Sequence, residues 1–260
     1  MTSAGSRVAI IGAGELASAV VRGLSLPVAI SDNGSGRAAR LAASCRGRSG
    51  ASELISRDAI VFLAHPVSAL HAVAASVDGR ADCVVSLLSG VSTTELRSAY
   101  ARSPVVRATV TIASARNHGV VSWPDRRQLP AALDAEVAGL LSSLGVLFEL
   151  DEAVMTPLIS LAGVAPAYYA LLIQAQVDAA VSVGVPADVA MPIAIESAAA
   201  SVDLLAASAG DTAALRRSVA TPGGRTARGL AALEKAGLHA AFEMAARAVV
   251  KDTGSGDGKL

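Results

Sequence analysis

The sequence predicts an α/β protein with an N-terminal doubly wound parallel sheet and an entirely helical C-terminal half. Three observations predict this class: short apolar runs alternate with helical patterns up to about residue 150, a glycine-rich turn follows the first run, and strand patterns stop from about Asp151 onward. We therefore expect one domain over residues 1–150 and a second over residues 151–250. The polar, glycine-rich residues 251–260 are expected to form a disordered tail.

The composition narrows the class of protein further. Of the 260 residues, 52% are apolar but only 3% are aromatic, so the core must be built from Ala, Val, Leu and Ile. A net charge of zero gives no electrostatic sign of nucleic acid or of an acidic membrane as partner. Two cysteines and four scattered histidines fit no metal-ligand spacing, so no metal is expected. With no secretory signal and no uninterrupted apolar stretch of about 20 residues, we expect a soluble, cytoplasmic protein without a membrane span.

The first apolar run, Val8–Ile11, leads directly into the glycine-rich turn Gly12–Ala17. A GxGxxA sequence between a buried strand and a helix is typical of a Rossmann-type dinucleotide-binding domain. Gly12 makes the tight turn, Gly14 admits a pyrophosphate, and Ala17 lets the helix pack closely on the strand. The cofactor-binding candidates in this turn are Gly12, Gly14, Glu15, Leu16 and Ala17.

The second predicted strand, Val28–Ser31, ends at Asp32. An acidic residue about 20 residues after the glycine turn binds the adenine-ribose 2′-OH, which favours NADH. The sequence Asp32-Asn33-Gly34 is also a common turn. Arg37 is near enough to neutralise a 2′-phosphate instead. Asp32 and Asn33 are therefore cofactor-binding candidates, and the choice between NADH and NADPH stays open.

Three further strands are predicted at Ala59–Ala64, Cys83–Leu88 and Val105–Ala108. Ligands of such sheets lie at the carboxyl ends of the strands. We therefore expect the cofactor to contact residues at the ends of the third and fourth strands, namely Ala64, His65, Pro66, Leu88 and Ser89. A lone histidine before proline is more often a loop-packing residue than a catalyst, so we favour a packing role for His65. The stretch Trp123–Arg127 is predicted to be an exposed loop.

Near the C-terminus, Thr221–Thr226 predicts a turn that ends in a helix start. Pro222 fixes φ, while Gly223 and Gly224 allow positive φ and a close approach of the backbone. The free N–H groups at a helix N-terminus bind small anions such as carboxylates. The alternative interpretation is an ordinary helix cap after a surface turn, and the six residues by themselves favour it.

The helical half contains a long segment, Ala153–Val183, that is apolar on almost every side. A helix of this kind is buried. In a chain of this size, that predicts burial in a subunit interface as well as in its own domain. Further helices are predicted after Pro186 and at Glu196–Ala209, Asp211–Val219, Gly229–Ala236 and Ala240–Val250.

The dinucleotide-binding turn, the helical second half and the turn at Thr221–Thr226 together resemble the pyrroline-5-carboxylate reductase family. The resemblance extends from Val8 to about Val250 and is most specific from Leu215 to Thr226. The other matching stretches are Ile11–Ala19, Ser89–Ser92, Ala162–Tyr168 and Ala236–Ala241.

This resemblance implies a Rossmann-type domain followed by a helical dimerisation domain that interleaves with a second copy, giving a homodimer or a higher oligomer. The implied reaction is the reduction of 1-pyrroline-5-carboxylate to L-proline with NADPH or NADH. The implied catalytic residue is Thr226, whose hydroxyl bonds the ring nitrogen. The implied substrate-binding residues are Thr221, Gly223, Gly224 and Arg225, with backbone N–H groups of the last three around the carboxylate.

The chain departs from the family pattern around the expected ligands. His65 replaces a lysine, Val110-Thr111 stands where the family has proline and asparagine, and Arg225 replaces a small residue. An alternative function is therefore that of a paralogous imine reductase in specialised metabolism, and Arg225 would suit a substrate with an additional acidic group. A further hypothesis is a non-catalytic, nucleotide-binding regulatory dimer, against which the retention of Thr226 argues.

Overall fold

The computed structural model describes residues 7–45, 47–50 and 58–251. The chain divides into two compact units, of which the first comprises the residues up to Gly163 together with those from Val250 onward, and the second comprises Val164–Val249. The domain boundaries that we place at residues 150 and 250 remain predictions. We expect residues 251–260 to be disordered, but of these only Lys251 is among the described residues.

The first unit is built on a six-stranded parallel sheet in the order β3-β2-β1-β4-β5-β6. This is the strand order of a doubly wound, Rossmann-type sheet, so the predicted fold class is confirmed. The short strand β3 has no counterpart in the sequence prediction, and the predicted strands at 59–64, 83–88 and 105–108 are each shorter in the structure. The strands are β1 (Val8–Ile11), β2 (Val28–Ser31), β3 (Arg48–Ser49), β4 (Ile60–Leu63), β5 (Cys83–Ser86) and β6 (Val105–Arg107).

Helices cover both faces of this sheet. Ile10 and Phe62 point to one face and Ala9 and Val61 to the other, and all four are fully buried. Burial on both faces explains why these strands are continuous apolar runs. The first face packs against α1 (Glu15–Leu24) and α2 (Arg37–Ala43), and the second against α3 (Leu70–Val77) and α4 (Thr93–Ala99).

A second, three-stranded sheet follows, and the sequence does not predict it. It consists of β7 (Thr109–Val110), β8 (Gly119–Pro124) and β9 (Gly145–Leu150), with α5 (Ala131–Ser142) between the last two. Strand β8 pairs antiparallel with β7 and parallel with β9.

The prediction of an exposed loop at Trp123–Arg127 is wrong at its start. Trp123 lies in β8 and is fully buried. The guanidinium carbon of Arg127 lies 3.6 Å from the centroid of the Trp123 ring. Arg127 also binds Asp134 and Glu149, and these ion pairs hold its guanidinium over the indole.

The predicted helix at Ala153–Val183 is broken in the structure. It begins as α6 (Glu152–Met155), continues through a 3₁₀ turn at Pro157–Ser160, and restarts as α7 (Ala165–Ser182). The helices predicted after Pro186 and at Glu196–Ala209 are one continuous helix, α8. The remaining elements of the helical unit are α8 (Ala187–Ala207), α9 (Thr212–Val219), α10 (Arg225–Lys235) and α11 (Leu238–Lys251).

The helical unit has a small core. Val177 of α7 packs against Ala190 and Ala194 of α8, and these are the buried apolar residues among the described residues of this unit. The expectation that α7 is buried within its own domain is therefore wrong for a single chain, because large side chains such as Leu171 are exposed. Burial of these side chains in a subunit interface stays a prediction.

Two helical segments, Glu152–Ser182 and Ala187–Ala207, are long and apolar enough to cross a membrane by length and composition alone. The sequence-based expectation that the chain has no such segment is therefore corrected. In the first segment, only α7 is a long α-helix. One or two such helices are weak evidence for a membrane protein.

Candidate functional site

The glycine-rich turn is shaped by a close backbone approach. Gly12 follows β1 with φ of +117°, a conformation that favours glycine. A Cβ atom at this position would lie 2.1 Å from the carbonyl oxygen of Ala64, at the end of β4. No side chain fits there, so Gly12 brings the turn into contact with the end of the neighbouring strand.

Gly14 serves a different purpose from Gly12. It is the N-cap of α1, has φ of −82°, and a Cβ atom here would meet no atom within 4 Å. Its carbonyl accepts a hydrogen bond from Ser18, while the first N–H groups of α1 find no acceptor among the described residues. The pyrophosphate of a dinucleotide fits here, because there is open space beside Gly14 and because the free N–H groups at the N-terminus of α1 carry a partial positive charge.

A cleft of about 660 Å³ lies in front of this turn, at the carboxyl ends of β1, β2 and β4. It brings seven of the predicted cofactor-binding residues together: Gly12, Gly14, Asp32, Asn33, Ala64, His65 and Pro66. The other candidates lie outside its lining. Ala17 is fully buried where α1 packs on the sheet, Leu88 is buried after β5, and Ser89 is exposed.

Asp32 organises the loop between β2 and α2. Its Oδ1 accepts a hydrogen bond from the Gly34 N–H at 2.9 Å. Its Oδ2 accepts from the Ser35 hydroxyl at 2.7 Å and from the Ala38 N–H at 3.0 Å. The bonds from Ala38, Ser35 and Gly34, in this order, hold the pKa of Asp32 below its ordinary value. Asp32 therefore makes the turn that its sequence context allows.

His65 stands on the wall of the cleft. Its Nδ1 lies 2.8 Å from the Pro66 carbonyl oxygen, so Nδ1 carries the proton and donates to it. Nε2 is buried without a hydrogen-bond partner among the described residues. Burial lowers the pKa of His65, which keeps the imidazole neutral at physiological pH. These contacts agree with a packing role, which stays a prediction.

In the helical unit, the turn at Thr221–Gly224 has the geometry that the sequence predicts. The Gly224 N–H donates to the Thr221 carbonyl at 2.9 Å, with Pro222 second in the turn and Gly223 third with φ of +70°, which is the pattern of a type II turn. Gly224 is the N-cap of α10. A Cβ atom on Gly224 would lie 2.4 Å from Thr221 Oγ1 and 3.0 Å from the Thr221 carbonyl oxygen, so a side chain here would require the Thr221 hydroxyl to move.

The start of α10 leaves several polar groups free. The N–H groups of Arg225 and Thr226 have no acceptor among the described residues, and neither the Thr226 hydroxyl nor the Arg225 guanidinium has a partner there. Arg228 donates from Nη1 to the Gly223 carbonyl at 3.2 Å and stiffens the turn. Because the Gly224 N–H is committed to the turn, an incoming carboxylate would meet the N–H groups that follow it.

Comparisons with known proteins connect both parts of the chain to one enzyme family. A family model for pyrroline-5-carboxylate reductase dimerisation matches residues 152–255, and a model described as NADP oxidoreductase, coenzyme F420-dependent, matches residues 7–90. The pyrroline-5-carboxylate reductase of Mycobacterium leprae is 30% identical over 197 residues, which cover 69% of this chain and 67% of the relative. The chain belongs to the pyrroline-5-carboxylate reductase family.

Two further comparisons cover nearly the whole length of this chain and of the protein it is compared with. The pyrroline-5-carboxylate reductase of Pseudomonas aeruginosa is 28% identical over 256 residues, or 93% of either chain. The crystal structure of 1-pyrroline-5-carboxylate reductase from Streptococcus pyogenes superposes with a TM-score of 0.85 over 95% of this chain and 97% of the other, at 24% identity. The second of these similarities shows that the fold is shared.

The sequence does not predict one polar cluster of this pyrroline-5-carboxylate reductase family member, which consists of Arg107, Glu152 and Thr93. Arg107, at the end of β6, is buried, and its Nη1 lies 3.2 Å from Oε1 of Glu152 in α6. The same oxygen accepts from the hydroxyl and the N–H of Thr93, the first residue of α4. Glu152, the first residue matched by the dimerisation model, thus connects the end of β6 to the start of α4. Separations of 45 and 59 residues along the chain leave no local sequence signal for these contacts.

Proposed function

We propose that this chain is an NAD(P)H-dependent oxidoreductase that acts on a C=N bond and reduces 1-pyrroline-5-carboxylate to L-proline. The observation that carries the proposal is that one chain combines a dinucleotide cleft with a set of hydrogen-bond donors at the start of α10 that have no acceptor among the described residues. Both the family match and the pyrroline-5-carboxylate reductase relatives support it.

The residues of the cleft fit a nicotinamide dinucleotide. The missing Cβ of Gly14 and the free N–H groups at the start of α1 would hold its pyrophosphate, and the loop that begins at Asp32 lies where the adenine ribose binds in such folds. When bound, the reduced cofactor supplies the hydride. The chain itself has to bind, orient and shield the substrate.

The substrate also explains why no elaborate catalytic apparatus is needed. A protonated cyclic imine is already a good hydride acceptor, so holding it in position supplies most of the rate enhancement. In the proposal, the N–H groups of Arg225 and its neighbours bind the carboxylate. The Thr226 hydroxyl accepts a hydrogen bond from the protonated ring nitrogen and fixes the orientation of the ring. The roles of Thr221, Gly223 and Gly224 are to build the turn that presents these groups.

The direct test is oxidation of NADPH or NADH by the purified protein in the presence of 1-pyrroline-5-carboxylate, followed by identification of proline. Thr226→Ala should reduce kcat at least about tenfold, the value of one charge-assisted hydrogen bond, without changing cofactor affinity. Thr212→Ala, in the exposed first turn of α9, is the matched control and should keep full activity. An equal loss of turnover and cofactor affinity in Thr226→Ala would make Thr226 a structural residue.

A second candidate function rests on Arg225. Its exposed guanidinium has no partner among the described residues, at the first position of α10. An additional acidic group on a cyclic imine would meet this charge, as in a paralogous imine reductase of specialised metabolism. If this is correct, six-membered or substituted imines with a second carboxylate should be better substrates than 1-pyrroline-5-carboxylate, and Arg225→Ala should remove the preference. No activity with any of these imines would favour the regulatory, nucleotide-binding dimer.

The assembly and the location belong to the same proposal. The dimerisation model covers the helices whose apolar side chains are exposed in one chain, which supports a homodimer formed through the C-terminal helices and leaves higher oligomers open. Both cysteines, Cys45 and Cys83, are free thiols, as suits a reducing, cytoplasmic location. The mass of the purified protein in solution tests the assembly, and a mass of one chain would contradict it.

A further inference from the structure

We propose that Arg37 selects the cofactor and makes this protein prefer NADPH to NADH, while Asp32 is a structural residue of the loop between β2 and α2. This inference rests on the proposed function only in taking the cleft as the cofactor site. It resolves the choice that the sequence leaves open, because the structure shows what each of the two side chains already does.

Asp32 is occupied by its own loop. Its two carboxylate oxygens accept hydrogen bonds from the Gly34 N–H, the Ser35 hydroxyl and the Ala38 N–H, at 2.7–3.0 Å. An acid that selects NADH must accept from the ribose 2′-OH. Asp32 could do so only by sharing oxygens that hold the loop in shape, and its loss should therefore affect the stability of the protein first.

Arg37 is free to bind a ligand. Its side chain is exposed on the lining of the cleft, and only its Nε is used, in a bond of 3.1 Å to the Ser35 hydroxyl. Neither Nη atom has a partner among the described residues. The remaining edge of the guanidinium suits a phosphate, which arginine binds through two parallel hydrogen bonds.

Ser35 connects the two residues. Its hydroxyl donates to Asp32 Oδ2 at 2.7 Å and accepts from Arg37 Nε at 3.1 Å. The carboxylate thereby fixes the hydroxyl, and the hydroxyl fixes the guanidinium. Asp32 acts on the cofactor indirectly, by holding the loop from which Arg37 projects.

The local charge also favours a phosphate. Between Val28 and Cys45, Asp32 is the single acidic residue, whereas Arg37 and Arg40 are both basic. Arg40 is not among the residues that line the cleft, but its Nη1 atom lies 3.5 Å from where a Cβ of Gly36 would be, so a second cation lies beside the same loop. A phosphate monoester brings about 1.5–2 negative charges, which two arginines can neutralise, whereas a 2′-OH brings none.

The test measures binding and does not need turnover. The dissociation constants of NADPH, NADH and adenosine 2′,5′-bisphosphate are measured by titration calorimetry with the full-length wild-type chain and with Arg37→Ala. We expect the wild type to bind NADPH at least about tenfold more tightly than NADH, and Arg37→Ala to lose that preference and to bind the bisphosphate about tenfold to a hundredfold more weakly. Arg97→Ala, an exposed arginine of α4 outside the cleft, is the matched control and should bind all three as the wild type does.

Asp32→Asn separates the two interpretations of the acid. Because Asp32 holds the loop and, through Ser35, orients Arg37, we expect this substitution to lower the thermal unfolding temperature and to leave the ratio of NADPH to NADH affinity unchanged or lower. A protein of unchanged stability whose preference shifts strongly towards NADPH would show that Asp32 reads the ribose, and the proposal would fail. It would fail equally if the wild type bound NADH as tightly as NADPH. Absence of imine reduction with the 2′-phosphate preference intact would instead count against the proposed function alone.

Discussion

The two units of this chain use their apolar residues in opposite ways. In the first unit, side chains on both faces of the sheet are fully buried, among them Ile10 and Phe62 on one face and Val61 on the other. In the helical unit, Val177, Ala190 and Ala194 are the buried apolar residues among those described, while Leu171 is 68% and Ile193 57% exposed. The first unit encloses its own core, and the second leaves most of its apolar surface on the outside.

This difference agrees with the two family models, of which the NADP oxidoreductase model matches residues 7–90 and the dimerisation model matches residues 152–255. A sheet with a complete core can hold Gly12 and Gly14 in fixed positions, so the dinucleotide cleft exists in one chain. A set of long helices with so much exposed apolar surface needs a partner, since monomeric soluble proteins rarely expose large apolar patches. The dimerisation model that matches residues 152–255 identifies that partner class as a second copy.

The largest effect is expected from charges on the exposed face of the helical unit. Leu171→Glu combined with Ile193→Glu should weaken dimerisation more than a thousandfold, about 4 kcal/mol, because each carboxylate would be desolvated without a partner. Analytical ultracentrifugation over a range of concentrations measures the change. The matched control is Val146→Glu, equally apolar and 63% exposed, but in the first unit. If the dimer survived the double substitution but was lost in Val146→Glu, the dimer interface would lie on the first unit and not on the helical unit.

A glycine pair tests whether the first unit is preformed. Gly12→Ala should destabilise the chain by about 3 kcal/mol, because its Cβ would lie 2.1 Å from a backbone oxygen and φ is +117°. Gly14→Ala meets no atom and has an ordinary φ, so its stability should be that of the wild type while its affinity for the dinucleotide falls. Urea unfolding and cofactor titration measure the two quantities separately. If Gly14→Ala instead bound the dinucleotide normally, the pyrophosphate would not lie at this turn.

What the sequence predicts correctly is set by contacts between residues that are close along the chain. The strands β1 and β2 and the turn at Gly12 are coded by adjacent residues, and the structure has them at the predicted positions. The sequence likewise predicts the turn at Thr221, because proline and glycine fix the backbone locally. The second sheet was not, since its β8 depends on pairing with β9, more than twenty positions further on. In β8, the polar residues that follow Trp123 favour a loop, and the short apolar run before it is not enough to predict a strand.

Within the candidate site, Asp32 shows most clearly what the sequence by itself cannot decide. The sequence allows this acid to read a ribose or to make a turn, and both interpretations use the same residues. The structure separates them by showing which donors its oxygens already accept from. The burial predicted for α7 is wrong for a single chain for a related reason. An all-apolar helix indicates a buried surface, but it does not say whether the burying partner is the same chain.

A smaller effect is expected at the buried indole of the first unit. Arg127 makes two hydrogen bonds to Asp134, one to Glu149 and one to the Pro124 carbonyl while it covers Trp123. Lysine cannot reproduce this planar set of donors, so Arg127→Lys should cost about 2 kcal/mol of unfolding free energy. Trp123 is the single tryptophan of the chain, and its fluorescence reports the change directly.

The control for this substitution is the neighbouring exposed arginine. Arg126→Lys keeps the charge at a position without a contact among the described residues, so its unfolding free energy should equal that of the wild type. If Arg127→Lys unfolded at the same urea concentration as Arg126→Lys, the contacts of Arg127 would not stabilise the second sheet.

The smallest effect, and the one that depends on pH, concerns the contact between Arg107, Glu152 and Thr93. Burial alone would raise the pKa of Glu152, but the hydrogen bonds from Thr93 and Arg107 outweigh it, so the pKa lies below its ordinary value. A carboxylate of lowered pKa stabilises the fold above the pKa of the unfolded chain, about 4.3, and this contribution disappears as the pH falls through the folded value. Glu152 is 39% exposed, so solvent screening limits the cost of Glu152→Gln to about 1 kcal/mol of unfolding free energy at neutral pH.

Urea unfolding at neutral and at acid pH measures this cost, which should shrink towards zero on acidification. The control is Asp58→Asn, an exposed acid without side-chain contacts among the described residues. It should not change the unfolding free energy at either pH. A cost that persisted at acid pH would mean that Glu152 contributes through packing, and its charge would then have no part in joining α6 to the end of the sheet.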